Sequence, residues 1–180
     1  VLDRWPHFQE LGVNTLLTTP LMGNRQTDFL GHWALHGYWI ENPFELDRHL
    51  GNFADLEKIV SKKNQTKTNF ILDLVTNHLA WDHPWIAQHP DWFHPKREIV
   101  NMDDEKDATT GGLSGLPDLN QSVPEVYKHL VAYSKFWIEK TDANGIRLDA
   151  VKHIDHEFWK KYLGEMKNFA AQLGKNDFLM

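Results

Sequence analysis

Three apolar runs of strand length, VNTLLTTP, TNFILDLV and GIRLDAV, are separated by segments whose apolar residues recur at helical spacing. The first such segment carries Leu2, Trp5, Phe8 and Leu11, and Gly12 fits the residue just past a helix end. A second places Phe53, Leu56, Ile59 and Val60 on one face behind Asn52, a good helix cap. A third runs through Val126, Leu130, Val131, Trp137 and Ile138. Ser122-Val-Pro-Glu125 opens it as a capping box, and Asn144-Gly145 stops it. A fourth carries Phe158, Tyr162, Met166, Phe169 and Leu173, closes at Gly174, and leads into Phe178, Leu179 and Met180 as the start of another strand. Helix and strand therefore alternate, with strands that read as continuously apolar. That order implies a parallel sheet covered by helices, a fold in which chemistry sits at the carboxyl ends of the strands.

Two stretches do not fit the alternation. Residues 21–51 hold aromatics and histidines without a clean period. Residues 79–119 form an irregular segment rich in Trp, His, Pro, Asp and Gly, read as an inserted loop or small subdomain, since structureless loops of that length are uncommon. The chain has eight tryptophans and eleven histidines, residue types common where polar ligands meet flat surfaces. A net charge of -6 and the lack of any basic run argue against nucleic acid or an anionic membrane as partner. No apolar stretch approaches the roughly 20 residues a membrane helix needs. Without cysteine there is neither a disulfide nor a thiolate metal site, and the compartment stays open.

The polar residues cluster at two expected strand ends: Asn77-His78 after one, and Arg147, Asp149, Lys152 and His153 at another. Ile146, Leu148, Ala150 and Val151 read as buried among them, and ionised side chains are costly to bury unless paired. Arg147 and Asp149 lie two apart on a strand and point to the same side. A guanidinium so placed favours the ionised carboxylate that a nucleophile requires. A structural ion pair is the alternative on these residues alone. Asp73, inside an apolar strand, needs a buried hydrogen-bonding partner and is given a structural role. His83, His89 and His94 lack the spacing of a helical zinc pair, and each precedes a proline; they are read as solvated or packing residues.

GIRLDAVKH at 145–153 resembles the G-x-R-x-D-A-x-K-H motif of the α-amylase family, glycoside hydrolase family 13. DLVTNH at 73–78 resembles that family's D-x-x-x-N-H motif, and LPDLN at 116–120 its short motif near the end of an inserted subdomain. HGYW at 36–39 and the strand ending LLTTP also match, in the family's order, so the resemblance spans nearly the whole chain. It implies part of a (β/α)8 TIM barrel, about strands two to five, with residues 79–119 inserted after the third barrel strand and residues 1–180 belonging to one catalytic domain.

The resemblance also implies a retaining enzyme of α-glucosidic bonds, hydrolase or transglycosylase, working through a carboxylate nucleophile and a second carboxyl as acid and base. Asp149 is then the nucleophile and Arg147 orients it. His78 contacts hydroxyls of the sugar being cleaved, Tyr38 offers that ring a flat face, and Lys152 and His153 line the leaving-group side. Packing for Tyr38 and a solvated surface position for Lys152 are the bland alternatives. Asn77, Asp118 and the backbone carbonyl of His153 resemble the family's structural calcium site. They fall short of the roughly six to eight oxygens calcium takes, so further ligands come from the insertion or from water. No organic cofactor is implied, since no glycine-rich phosphate loop follows a strand.

In the family a Glu follows the fourth strand and a further Asp lies near a later one. Neither is in this sequence, whose last residue is Met180. The expected partners are therefore an α-glucan or maltooligosaccharide and the remainder of the barrel, and the chain alone is expected to have little glycosidase activity. A non-catalytic relative that uses the barrel as a binding or partner-interaction module is the competing reading. Intact Tyr38, His78, Arg147 and Asp149 favour the enzyme, because a binding module need not keep the nucleophile.

Overall fold

A computed structural model describes residues 1–180. A 3-10 turn at Leu2–Arg4 leads into α1 (Trp5–Glu10), and Gly12 beyond it has φ of +73°. After β1 (Thr15–Thr18) the chain forms an antiparallel pair, β2 (Met22–Asn24) and β3 (Ile40–Leu46). The aperiodic segment 21–51 thus contains a hairpin-like excursion. Its pairing is broken by register shifts around Gly23, so neither strand keeps the alternation that would mark it in sequence. Then α2 (Phe53–Thr66) is capped as expected, the Asp55 N–H donating to Asn52 Oδ1 at 3.1 Å.

β4 (Asn69–Leu74) follows, and residues 79–119 fold into short pieces that include α3 (Trp85–Gln88) and α4 (Glu105–Thr110). The chain continues through α5 (Pro124–Thr141), β5 (Gly145–Leu148) and α6 (His156–Gln172). β1, β4 and β5 make one parallel sheet in that order. Leu179 adds a parallel bridge to Gly145, which is the start of the further strand. Gly145 is required there, because a Cβ would lie 2.7 Å from the Leu179 carbonyl oxygen.

The core lies between this sheet and helices α5 and α6, with Leu72, Leu74, Trp137, Ile138, Ile146 and Met166 fully buried. Each such side chain contributes about 1.5–3 kcal/mol of burial. The Trp137 indole N–H reaches the Pro43 carbonyl at 2.6 Å and so ties β3 to α5. No helix is long and apolar enough to cross a membrane.

Several local expectations need correction. β1 is not a buried strand. It pairs with β4 alone, and Leu17 is 60% exposed on its uncovered face. The capping box does not form: α5 begins at Pro124 after Val123 with no side-chain cap, and the Ser122 hydroxyl turns back to Asn120 Oδ1 at 2.5 Å. Nor does Asn144-Gly145 stop α5, which ends earlier, at Asp142 in the left-handed region with φ of +48°. Val151 is half exposed rather than buried, because β5 ends at Leu148 and Ala150, at φ of +52°, turns the chain into a 3-10 turn over Val151–His153.

Candidate active site

The parallel register sets Asp73 of β4 directly beside Arg147 of β5 at the carboxyl ends of both strands. The Arg147 guanidinium donates from Nη1 to both Asp73 oxygens at 3.1 Å and to Asp149 Oδ1 at 2.6 Å. One cation therefore holds two carboxylates. They differ in surroundings: the Asp73 side chain is 4% exposed and that of Asp149 is 19% exposed. The Asp149 N–H donates to the Leu74 carbonyl at 3.0 Å, which fixes its backbone to the end of β4. The Asp149 side chain is thus fastened by one oxygen, next to a chain turn that leaves it partly open.

Tyr38 closes the other side of Asp73. Its hydroxyl donates to Asp73 Oδ2 at 2.9 Å, so Asp73 has the buried partners its position demands. Burial pushes the Asp73 carboxyl above its ordinary value and outweighs the opposing pull of Arg147 and Tyr38. The Tyr38 hydroxyl is likewise raised, by burial first and then by its bond to Asp73. Gly37 makes this placement possible: at φ of +93°, its missing Cβ would sit 2.9 Å from the Pro20 carbonyl oxygen. Arg147 stays charged, since its bonds to Asp73 and Asp149 more than offset burial.

His78, expected to contact sugar hydroxyls, is 2% exposed in this chain, and its Nε2 faces the Tyr38 carbonyl oxygen at 3.2 Å. That contact calls for an Nε2–H donor, which leaves Nδ1 to accept from Asn77 Nδ2 at 3.3 Å. Burial lowers its pKa to about 4, with Asp149 pulling the other way. His78 is a neutral ring that props the backbone of Tyr38. Lys152 and His153 also have other partners. Exposed Lys152 lies 3.5 Å from Asp103, and His153 Nδ1 meets the Ala108 carbonyl at 3.0 Å. Both tie the 3-10 turn after β5 to residues 103–108.

The bond from Asn77 to His78 aims the amide nitrogen at the ring and leaves Asn77 Oδ1 buried without a donor. Beside it, an antiparallel bridge joins His78 to Asp118, and the Leu119 N–H donates to the Asn77 carbonyl at 2.9 Å. Both Asp118 oxygens are buried and unpartnered, and burial pushes that carboxyl up to about 8. Three orphaned oxygens on two adjoining residues suit a hard cation. No group of three His, Cys, Asp or Glu side chains is placed to hold a metal ion. His83 and His89 pack on Trp85 and Trp92, with ring centroids 4.8 and 4.1 Å apart.

Reading the sequence gave Asp73 only a structural role and missed that it shares the guanidinium with Asp149. Pairing of β4 with β5 in register was the signal, and only the folded sheet supplies it. Also missed was the aromatic contact of Trp81 with Phe29 and Trp39, at 4.4 and 4.3 Å, which joins the two aperiodic stretches.

A parallel sheet carrying two carboxylates and one arginine at its carboxyl edge has the arrangement of α/β folds whose functional residues sit at strand ends. The comparisons narrow it. The family model described as "Alpha amylase, catalytic domain" matches residues 1–176, and the chain belongs to that family. Among curated relatives, a cyclomaltodextrin glucanotransferase of Klebsiella oxytoca is 30% identical over 99% of this chain and 30% of its own length. An intracellular maltogenic amylase of Bacillus subtilis is 30% identical over 90% of this chain and 27% of its own. The crystal structure of an alpha-amylase from Geobacillus thermoleovorans, complexed with acarbose, superposes with a TM-score of 0.88 at 36% identity, covering 98% of this chain and 38% of that one. The chain thus spans about a third of the length of these relatives, and its strands and helices match part of the amylase fold.

Proposed function

We propose that this chain is part of a retaining glycoside hydrolase or transglycosylase acting on α-glucans or maltooligosaccharides, with Asp149 as nucleophile. The observation that carries this reading is the division of Arg147 between a closed carboxylate, Asp73, and a partly open one, Asp149. Asp149 attacks the anomeric carbon and forms a glycosyl-enzyme bond as the glycosidic oxygen leaves. Arg147 keeps the carboxylate charged and oriented, so little reorganisation remains for the reaction step. The Tyr38 ring offers the sugar a flat face, and His78 holds the backbone of Tyr38 in place.

Calcium fits the orphaned oxygens of Asn77 and Asp118, with the His153 carbonyl as a further ligand by family resemblance. Bound there, the ion supplies positive charge that compensates buried oxygens and fastens the start of the 79–119 insertion to its end. That stretch then serves as a small subdomain beside the strand ends.

Retention needs a second carboxyl about 5–5.5 Å from the first. Asp73 cannot serve, because it is buried and bound by both Tyr38 and Arg147. By family resemblance the second carboxyl is assigned to the rest of the barrel, and the chain alone is expected to be inactive toward starch and maltooligosaccharides. Product analysis on maltooligosaccharides tests this. No turnover is expected, and robust turnover that disappears in Asp149→Asn would overturn the assignment of the acid elsewhere.

A further inference from the structure

Asp149 is held from two directions. Upstream, the register of β5 with β4 places Arg147, which takes Asp149 Oδ1 at 2.6 Å, and the Asp149 N–H reaches the Leu74 carbonyl. Neither contact fixes the direction in which the chain leaves residue 149. Ala150 sets that direction, in the left-handed region at φ of +52° and ψ of +34°. A residue with a Cβ is unfavourable there, and the conformation persists only where surrounding contacts impose it. Backbone strain one residue from the proposed nucleophile calls for such a contact.

The turn has little of its own to hold it. Ala150 has only a methyl group to bury, and Val151 is half exposed. Lys152 meets Asp103, but both side chains are exposed, and pairs of that kind are worth little. His153 Nδ1 meets the Ala108 carbonyl, a tie to the insertion rather than to the core. The His153 N–H closes the turn on the Ala150 carbonyl at 2.8 Å, and buried Ile154 anchors its exit. The remaining contact comes from α6. There the Trp159 indole N–H donates to the Val151 carbonyl at 3.0 Å.

The placement of that donor follows from the helix. α6 begins at His156 behind the Asp155 cap, so Trp159 stands in its first turn. Long side chains on a helix lean toward its amino end, which carries this indole back over the entering chain. Trp159 is buried edge-on against Phe158 and Tyr162, with ring centroids 5.1 and 5.9 Å away. Tyr162 is fixed in turn by Ser134 of α5, the two hydroxyl oxygens lying 2.6 Å apart. The indole is therefore a donor mounted on the packed seam between two helices. Packing alone needs only the ring; the N–H is the part that reaches the turn.

We propose that Trp159 is a positioning residue for Asp149. Its N–H holds the left-handed turn through Val151 and so keeps Asp149 at the angle where one oxygen stays on Arg147 and the other stays free to attack. This rests on the reading of Asp149 as nucleophile. The test is the rate at which a maltosyl fluoride bearing an added ring fluorine labels Asp149, read by peptide mass analysis over a range of reagent concentrations. It compares wild type, Trp159→Phe and a chain in which benzothienylalanine, with sulfur in place of the N–H and the same ring shape, replaces Trp159. Both replacements should lower the limiting rate about tenfold and leave the half-saturating concentration unchanged, because the contacts of the sugar at Tyr38 are untouched. A wild-type limiting rate in the benzothienylalanine chain overturns the positioning role and leaves Asp149 as nucleophile, whether or not Trp159→Phe folds. A loss that appears only as a higher half-saturating concentration also overturns it. A wild-type chain labelled at another residue, or not at all, overturns the nucleophile reading and the positioning role with it.

Discussion

Charged residues gather at both ends of the same parallel sheet, and the two gatherings are built on opposite terms. At the amino ends of the strands, Lys63 is 3% exposed and donates to Asp142 Oδ2, Asn64 Oδ1 and Asn144 Oδ1 at 3.0–3.3 Å. Lys175 adds a second cation to Asp142 at 2.5 Å, and Asn144 Oδ1 also takes the Phe70 N–H. Every ammonium proton of Lys63 has a partner. Burial tends to raise the Asp142 carboxyl, but its two lysines more than reverse that and hold it below its ordinary value. At the carboxyl ends one arginine serves two carboxylates, burial wins at Asp73, and the side-chain oxygens of Asn77 and Asp118 are buried without a hydrogen-bond donor. A cluster built for stability closes its hydrogen-bond accounts; a cluster built for function leaves some open.

Substitutions sharpen the contrast. Lys63→Met should lower stability by about 3 kcal/mol in urea unfolding, since it strips a buried network of its central donor. Asp149→Asn should change stability by less than about 1 kcal/mol, because its side chain contributes one bond at a half-open position. A reversed ranking would break the distinction between the two ends.

The open oxygens give the next effect in size. Calcium should raise the melting temperature of the wild-type chain by several degrees, about 1–2 kcal/mol at moderate excess over its dissociation constant, and Asp118→Asn should remove that rise. The sign with pH follows from burial. The Asp118 carboxyl is raised to about 8, so its contribution is present at low pH and is lost as pH rises through about 8. A cation that holds the charged form reverses that loss. The calcium-induced rise should therefore grow between pH 6 and pH 9; thermal melts with and without chelator would show it, and a rise independent of pH would contradict it.

Much of this was legible in the residues, for physical reasons that differ by element. The strands β4 and β5 and the helices α2, α5 and α6 announce themselves through apolar periods and end signals such as Asn52 and Gly174. Arg147 and Asp149 share a side by strand alternation alone. What could not be read depended on partners distant in sequence. Asp73 meets Arg147 through strand register, and His78 is sealed by the Tyr38 carbonyl forty residues away. The β2–β3 pair lacks a clean alternation because its register shifts around Gly23. The Ser122-to-Glu125 pattern misled because α5 begins one residue later than it implies, with Val123 at the cap position and Ser122 turned back toward Asn120.

Covalent trapping tests the central claim most directly. A maltosyl fluoride bearing an added ring fluorine has a leaving group that departs with little need of an acid, so the first half of the reaction can proceed while breakdown of the intermediate is slow. Peptide mass analysis after incubation should place one glycosyl adduct on Asp149, and none in Asp149→Asn. An adduct on Asp73 or another residue, or a fully folded chain that gains no adduct, would contradict the account.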